Sequence, residues 1–269
     1  MSLYIESLDG FRYDLPEMGV QPLLLEIDSL APRVESEIVD GSDGHLDTDI
    51  TYEGRTMQAF FLLQSEGIRE FSRLRDRVYR LFNGKTYFYI YDSRLPFKRW
   101  KVRSESRFIP DKVTPGVGTV TISLISQSPF VESSGTTLYP DPREGIPQVN
   151  TDEPIQYIFQ QQDFSIWNDG DVPVDPRERW AYLQVLYKGA SENLAIKNLT
   201  TGDEWSYTGT TDAGDTIELN GIRSLKNGSS IFGQTNRQLL TLAPGMNQFE
   251  ISGATGAFQI SFDFRFYYI

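Results

Sequence analysis

Between Glu66 and Phe82, apolar Ile68, Phe71, Leu74, Val78, Leu81 and Phe82 recur at three- and four-residue spacing. At about 100° per residue they share one face, which predicts an α-helix. Ser65 is placed to cap its start and Asn83-Gly84 to stop it. Elsewhere the pattern has period two or is densely β-branched and aromatic. In the first half it predicts strands at 23–30, 34–39, 55–63, 87–91 and 120–124. In the second half it predicts strands at 155–159, 182–187, 194–198, 204–207 and 216–219, with a hairpin turn at 198–202. The cleanest alternation closes the chain, where Phe258, Ile260, Phe262, Phe264 and Phe266 are separated by polar residues. One helix in a chain otherwise patterned for strands predicts a mainly β protein. Residues 133–153 lack periodicity and carry Pro140, Pro142 and Pro147. They read as a linker between a domain at 1–132 and a β-sandwich at 154–269.

Charge sharpens this reading. The helix carries Arg69, Arg73, Arg77 and Arg80 on a stripe away from its apolar face, a candidate subunit interface. The segment before it is acidic, with Glu35, Glu37, Asp40, Asp43, Asp47 and Asp49 expected on the early strands and loop of the first domain's main sheet. The 269 residues carry 37 acidic and 25 basic side chains, a net charge of −12. Residues 1–132 have 16 basic and 20 acidic groups (−4) and the remainder 9 and 17 (−8). No basic block could neutralise many phosphates, which argues against tight nucleic-acid binding.

Candidate chemistry is sparse. With no cysteine, thiolate catalysis, disulfides and sulfur-ligated zinc are excluded. The one histidine, His45, lies in a Gly- and Asp-rich loop where nothing resembles a nucleophile elbow. Asp40, Asp43, Asp47 and Asp49 fail EF-hand spacing, because Gly44 stands at the fifth position from Asp40. Asp169, Asp171 and Asp175 offer paired carboxylates but sit among Gly170, Pro173 and Pro176, as turn formers do. No catalytic, cofactor or metal residue is therefore expected. Trp167, Trp180, Tyr182, Trp205 and Tyr207 could pack a core or stack on sugars. The longest purely apolar run, 59–63, is far short of a membrane span. Met1 to Gly10 shows no secretory pattern, so a soluble protein made in a cytoplasm is expected.

The order of the pieces resembles the distal tail (Dit) proteins of long, non-contractile-tailed phages of Gram-positive hosts. The matching N-terminal pieces are the Asp43-Gly44 loop, the strand at Arg55, the lone helix, Asn83-Gly84 and the closing Pro129-Phe130-Val131-Glu132-Ser133. In the second half they are Trp167-Asn168-Asp169-Gly170-Asp171, Asn198 to Gly202, Pro244-Gly245-Met246-Asn247 and Tyr267-Tyr268. The resemblance implies a tail-tube-like first domain, a sandwich or split barrel, and a galectin-like second domain. It also implies a homohexameric ring at the virion tail tip. That ring would join the tail tube protein to the tail-associated protein and to receptor-binding components. DNA would only pass through it, with the six acidic residues facing the lumen and the helix outside. A carbohydrate- or receptor-binding baseplate module is the alternative. No room exists here for the inserted sugar-binding module of some relatives.

Overall fold

The computed structural model describes residues 3–41, 43–141 and 155–269, which form two units, Met1–Val131 and Glu132–Ile269. Both are built on antiparallel sheets, so the molecule is mainly β. Among the described residues there is one α-helix.

In the first unit β1 (Leu3–Ser7), β2 (Arg12–Tyr13) and β3 (Val20–Ile27) are followed by β4 (Pro32–Glu37) and β5 (Leu46–Tyr52). Then come β6 (Thr56–Gln64), α1 (Ile68–Leu81), β7 (Phe88–Asp92), β8 (Lys98–Ser104), β9 (Asp111–Thr114) and β10 (Val117–Ser126). The main sheet runs β2-β1-β7-β8-β10-β6-β3, with β9 added to β10. Period-two alternation puts Met57, Ala59, Phe61 and Leu63 of β6 beside Leu124, Ile122 and Val120 of β10 on one face. The helix covers that face with Phe71, Leu74 and Val78, while Phe82 packs against Phe61 and Phe88.

Two details of the helix differ from the sequence reading. It begins at Ile68 with Gly67 as N-cap and no side-chain cap. The Ser65 hydroxyl donates instead to the carbonyls of Gly67 and Gly116, tying the end of β6 to the β9–β10 turn. Ile68, read as part of the apolar face, is exposed, because at the first helical position nothing of the sheet lies beneath it. The stop is as expected. Gly84 takes a positive φ, and the Asn83 side chain donates to the Arg80 carbonyl and accepts from the amides of Lys85 and Thr86.

β11 (Val131–Ser133) lies at the boundary of the two units. The second unit continues with β12 (Ile158–Phe159), β13 (Asp163–Asn168), β14 (Leu183–Asn198), β15 (Glu204–Ser206) and β16 (Thr210–Thr211). β17 (Thr216–Asn220), β18 (Arg223–Lys226), β19 (Ser229–Ser230), β20 (Gly245–Phe264) and β21 (Tyr267–Tyr268) complete it. Its axis is the pair β14·β20, along which the register shifts between Gly189 and Ala195. On one side of the shift β20 pairs with β12 and β14 with β17; on the other β20 pairs with β13 and β14 with β15. Two bent strands thus serve both layers. Phe164, Phe249 and Phe262 stack between them, and Trp205 and Tyr187 fill the rest of the core.

Residues 133–141, placed in a linker by their lack of periodicity, lie against β20. The amide of Phe264 donates to the Thr137 hydroxyl, which donates to the Phe262 carbonyl. The Leu138 amide donates to Asp263, and Arg265 donates to the carbonyls of Ser133, Ser134 and Gly135. The rest of that stretch, 142–153, falls outside the described residues. A fragment comprising 132–269 is therefore expected to unfold in one cooperative step. A fragment starting at Thr151, stripped of these bonds, should be less stable by about 2 kcal/mol. Urea titration of both checks this, and equal midpoints would mean the segment adds nothing.

The same neighbourhood sets an alkaline limit. Burial, then Asp263, raises the Tyr182 phenol to about 12, and burial with Asp169 also raises those of Tyr157 and Tyr268. A phenol that ionises near 10 when unfolded but later when folded favours the unfolded chain in that interval. The fragment 132–269 should hold its stability up to about pH 10 and lose it towards pH 12. Thermal melts across that range test the sign.

Candidate assembly surfaces

The arginine stripe is where the sequence placed it. Arg69, Arg73, Arg77 and Arg80 are all exposed on α1. Arg80 donates to the Asp76 carbonyl and Arg75 pairs with Asp76 at 2.8 Å. Arg69, Arg73 and Arg77 have no hydrogen bond or ion pair among the described residues. Like charges at this spacing repel by roughly 0.2–0.5 kcal/mol per pair in an isolated helix.

The acidic residues are not on the main sheet, contrary to the sequence reading. β4 and β5 form a two-stranded sheet of their own, joined through the tip that carries Asp40 and Asp43. Glu35 faces Asp49 across the ladder, Ser36 faces Asp47, and Glu37 faces Leu46. All six acidic residues are exposed, and His45 reaches Asp47 at 3.3 Å. On the main-sheet face away from the helix, the basic residues gather on β8, beside β7. Glu6 and Tyr89 are cross-strand partners there, and Tyr89 pairs with Lys101. Arg99 lies 3.6 Å over the Tyr89 ring, and Arg12 donates to the Tyr91 hydroxyl. Alternation could not reveal this, because it assigns residues to the faces of a strand but not a strand to a sheet.

Arg55, just past the hairpin, was singled out only by the resemblance. It is 9% exposed, its guanidinium lies over Trp100, and its Nε and Nη1 have no hydrogen-bond partner among the described residues. Burial lowers its pKa, against the pull of Asp28. An uncompensated buried cation is costly, and Asp28 is exposed enough to stay hydrated alone. Arg55→Met should therefore raise stability, by about 1 kcal/mol in chemical denaturation.

In the second unit the motif residues are structural. The buried side chains of Asn168, Asn198 and Asn247 bind the chain around Leu242 and Ala243. Asp169 accepts from the Tyr268 hydroxyl, Asp171 accepts from the Ile269 amide, and Asp175 pairs with Arg177. Trp205 and Tyr207 are core residues. Trp167 is half-buried and lines a depression of about 610 Å³ with Gln156, Gln161, Asp163, Met246 and Gln248.

Residues 5–126, nearly all of the first unit, match the family described as phage tail protein RIFT-related domain. No curated protein matches the sequence. Among solved structures, Dit of phage SPP1, described as a paradigm of hub adsorption apparatus in Gram-positive infecting phages, aligns with a TM-score of 0.69 at 14% identity. That alignment covers 99% of this chain and 100% of that one. A chain of the phage p2 baseplate in its activated conformation aligns with a TM-score of 0.48 at 10% identity, over 98% of this chain and 97% of that one. Residues 5–126 are thus similar to the RIFT-related domain of phage tail proteins, and the chain has the fold of SPP1 Dit.

Proposed function

We propose that this chain is a structural hub of a phage tail tip. It would assemble through its first unit into a homohexameric ring that joins the tail tube protein to the tail-associated protein and to receptor-binding components. DNA would pass through the ring without being bound. The observation that carries the reading is the end-to-end likeness to SPP1 Dit combined with the tail-domain family match of the first unit. The relatives are structural proteins, and we assign this chain a structural rather than an enzymatic role. Native mass spectrometry with negative-stain microscopy of the purified chain tests it. Closed sixfold rings are expected, alone or on adding the tail tube protein, and a monomer under both conditions would overturn the ring.

A carbohydrate- or receptor-binding role is the second reading, favoured by the aromatic and amide lining of the depression at Trp167. A glycan array with wild type and Trp167→Ala separates the two. Only the second reading expects a signal that the substitution removes.

A further inference from the structure

Among the described residues the β4–β5 hairpin is almost uncovered; at its base the Tyr52 ring meets that of Phe130 edge-on. Every residue of β4 is exposed, as is every residue of β5 except Thr51. An isolated two-stranded ribbon is marginally stable in water. This one nevertheless carries exposed apolar residues: Val34 and its cross-strand partner Ile50, Leu46, and Ile38 at 81% exposure. It also sets Glu35 directly opposite Asp49, a like-charged pair that weakens the ladder. Such a ribbon calls for a partner surface that is part apolar and strongly basic.

One surface of the same chain has that character. On α1 the side chains of Arg69, Arg73 and Arg77 have no partner among the described residues; on the flank Ile68 is 62% exposed, and Tyr79, further along the helix and packed on one side against Phe108, is 37% exposed. From 32 to 52 the ribbon holds six carboxylates against one arginine, while from 68 to 81 the helix holds five arginines against two carboxylates. Both surfaces are open in the same chain, so they are free to meet between two copies. We propose that the hairpin of one copy docks on the α1 surface of the next. Its carboxylates meet the arginines, and its apolar tip covers Ile68 and Tyr79. The contact joins two different patches, so it is head-to-tail, the type that closes rings. It rests on the ring reading above and supplies the ring with its joint. It also moves the acidic residues from the lumen to the interface.

Charge inversion tests it. The first variant carries Glu35→Lys, Glu37→Lys and Asp49→Lys; the second carries Arg69→Glu, Arg73→Glu and Arg77→Glu. Each alone puts like charges on both surfaces and should weaken assembly about tenfold or more, since three attractive pairs become repulsive. Mixed in equal amounts, each variant offers the surface the other lacks, and alternating rings should form again. Restoration also shows that both variants fold, and raised salt should weaken assembly of the wild type. If either variant assembles like wild type, or two folded variants fail to assemble when mixed, the hairpin joint is wrong while the ring stands. If wild type itself never assembles, the ring reading falls and the joint falls with it.

Discussion

Replacing Asn247 with leucine is expected to cost the second unit about 3–5 kcal/mol and abolish its cooperative unfolding at moderate temperature. Asn247 is fully buried and uses both ends of its amide. Its Oδ1 accepts from the Ala243 amide at 2.8 Å and from Asn198 at 3.1 Å. Its Nδ2 donates to the carbonyls of Ala243 and Gly245. Leucine matches the volume but leaves the Ala243 amide and the Asn198 donor buried without that partner, at about 1–3 kcal/mol for each orphaned group. The loss propagates, because Asn198 also donates to the Thr241 carbonyl and accepts from the Thr200 amide. Denaturant titration of Asn247→Leu beside the exposed Asn220→Ala, expected within about 0.5 kcal/mol of wild type, separates burial from residue type.

Gly253→Val should be nearly as damaging, by roughly 3 kcal/mol or more. Gly253 has a φ of +81°, a region that β-branched residues avoid. A Cβ there would lie 2.5 Å from the Asn193 carbonyl oxygen and 2.6 Å from that of Glu192. Those oxygens belong to β14, so the clash falls where the register of β14·β20 shifts. Valine has to straighten a bend on which both layers depend. Gly256→Ala, three residues on, meets nothing within 4 Å and should change little. A near-normal melting temperature for Gly253→Val would mean that the bend can be set elsewhere.

These two positions show how far the sequence could be read. The alternation from Phe258 to Phe266 correctly announced a strand, but β20 begins at Gly245, because Gly253 and Gly256 interrupt an alternation that Asn247, Phe249 and Ile251 had already started. Asp263, one of the polar positions of that alternation, is buried and accepts from the Leu138 amide of residues 133–141. Nothing in a period-two pattern shows that an aperiodic stretch over a hundred residues earlier will cover its outer face. The helix was legible because its apolar spacing is local. Its cap was not, since the Ser65 hydroxyl donates to the Gly67 and Gly116 carbonyls and accepts from no amide of the first turn. The arginine stripe could be placed from helical periodicity alone. Glu35 and Glu37 were read on a strand correctly, Asp47 and Asp49 were read as loop but lie on β5, and the main sheet was the wrong sheet for all of them, because an exposed ribbon alternates as a buried one does.

The position of β20 in the chain also bears on how the protein is made. The first unit has all its main-sheet strands and its helix once Ser126 has been added. It can fold on the ribosome while the rest is being synthesised. The second unit cannot, because β12, β13 and β14 all wait for a partner strand ending at Phe264. During translation those strands emerge with unpaired edges and exposed aromatic residues beside an already folded neighbour. The hazard of mispairing between nascent chains is therefore concentrated in the second half, and slower elongation over 155–245 would lengthen it.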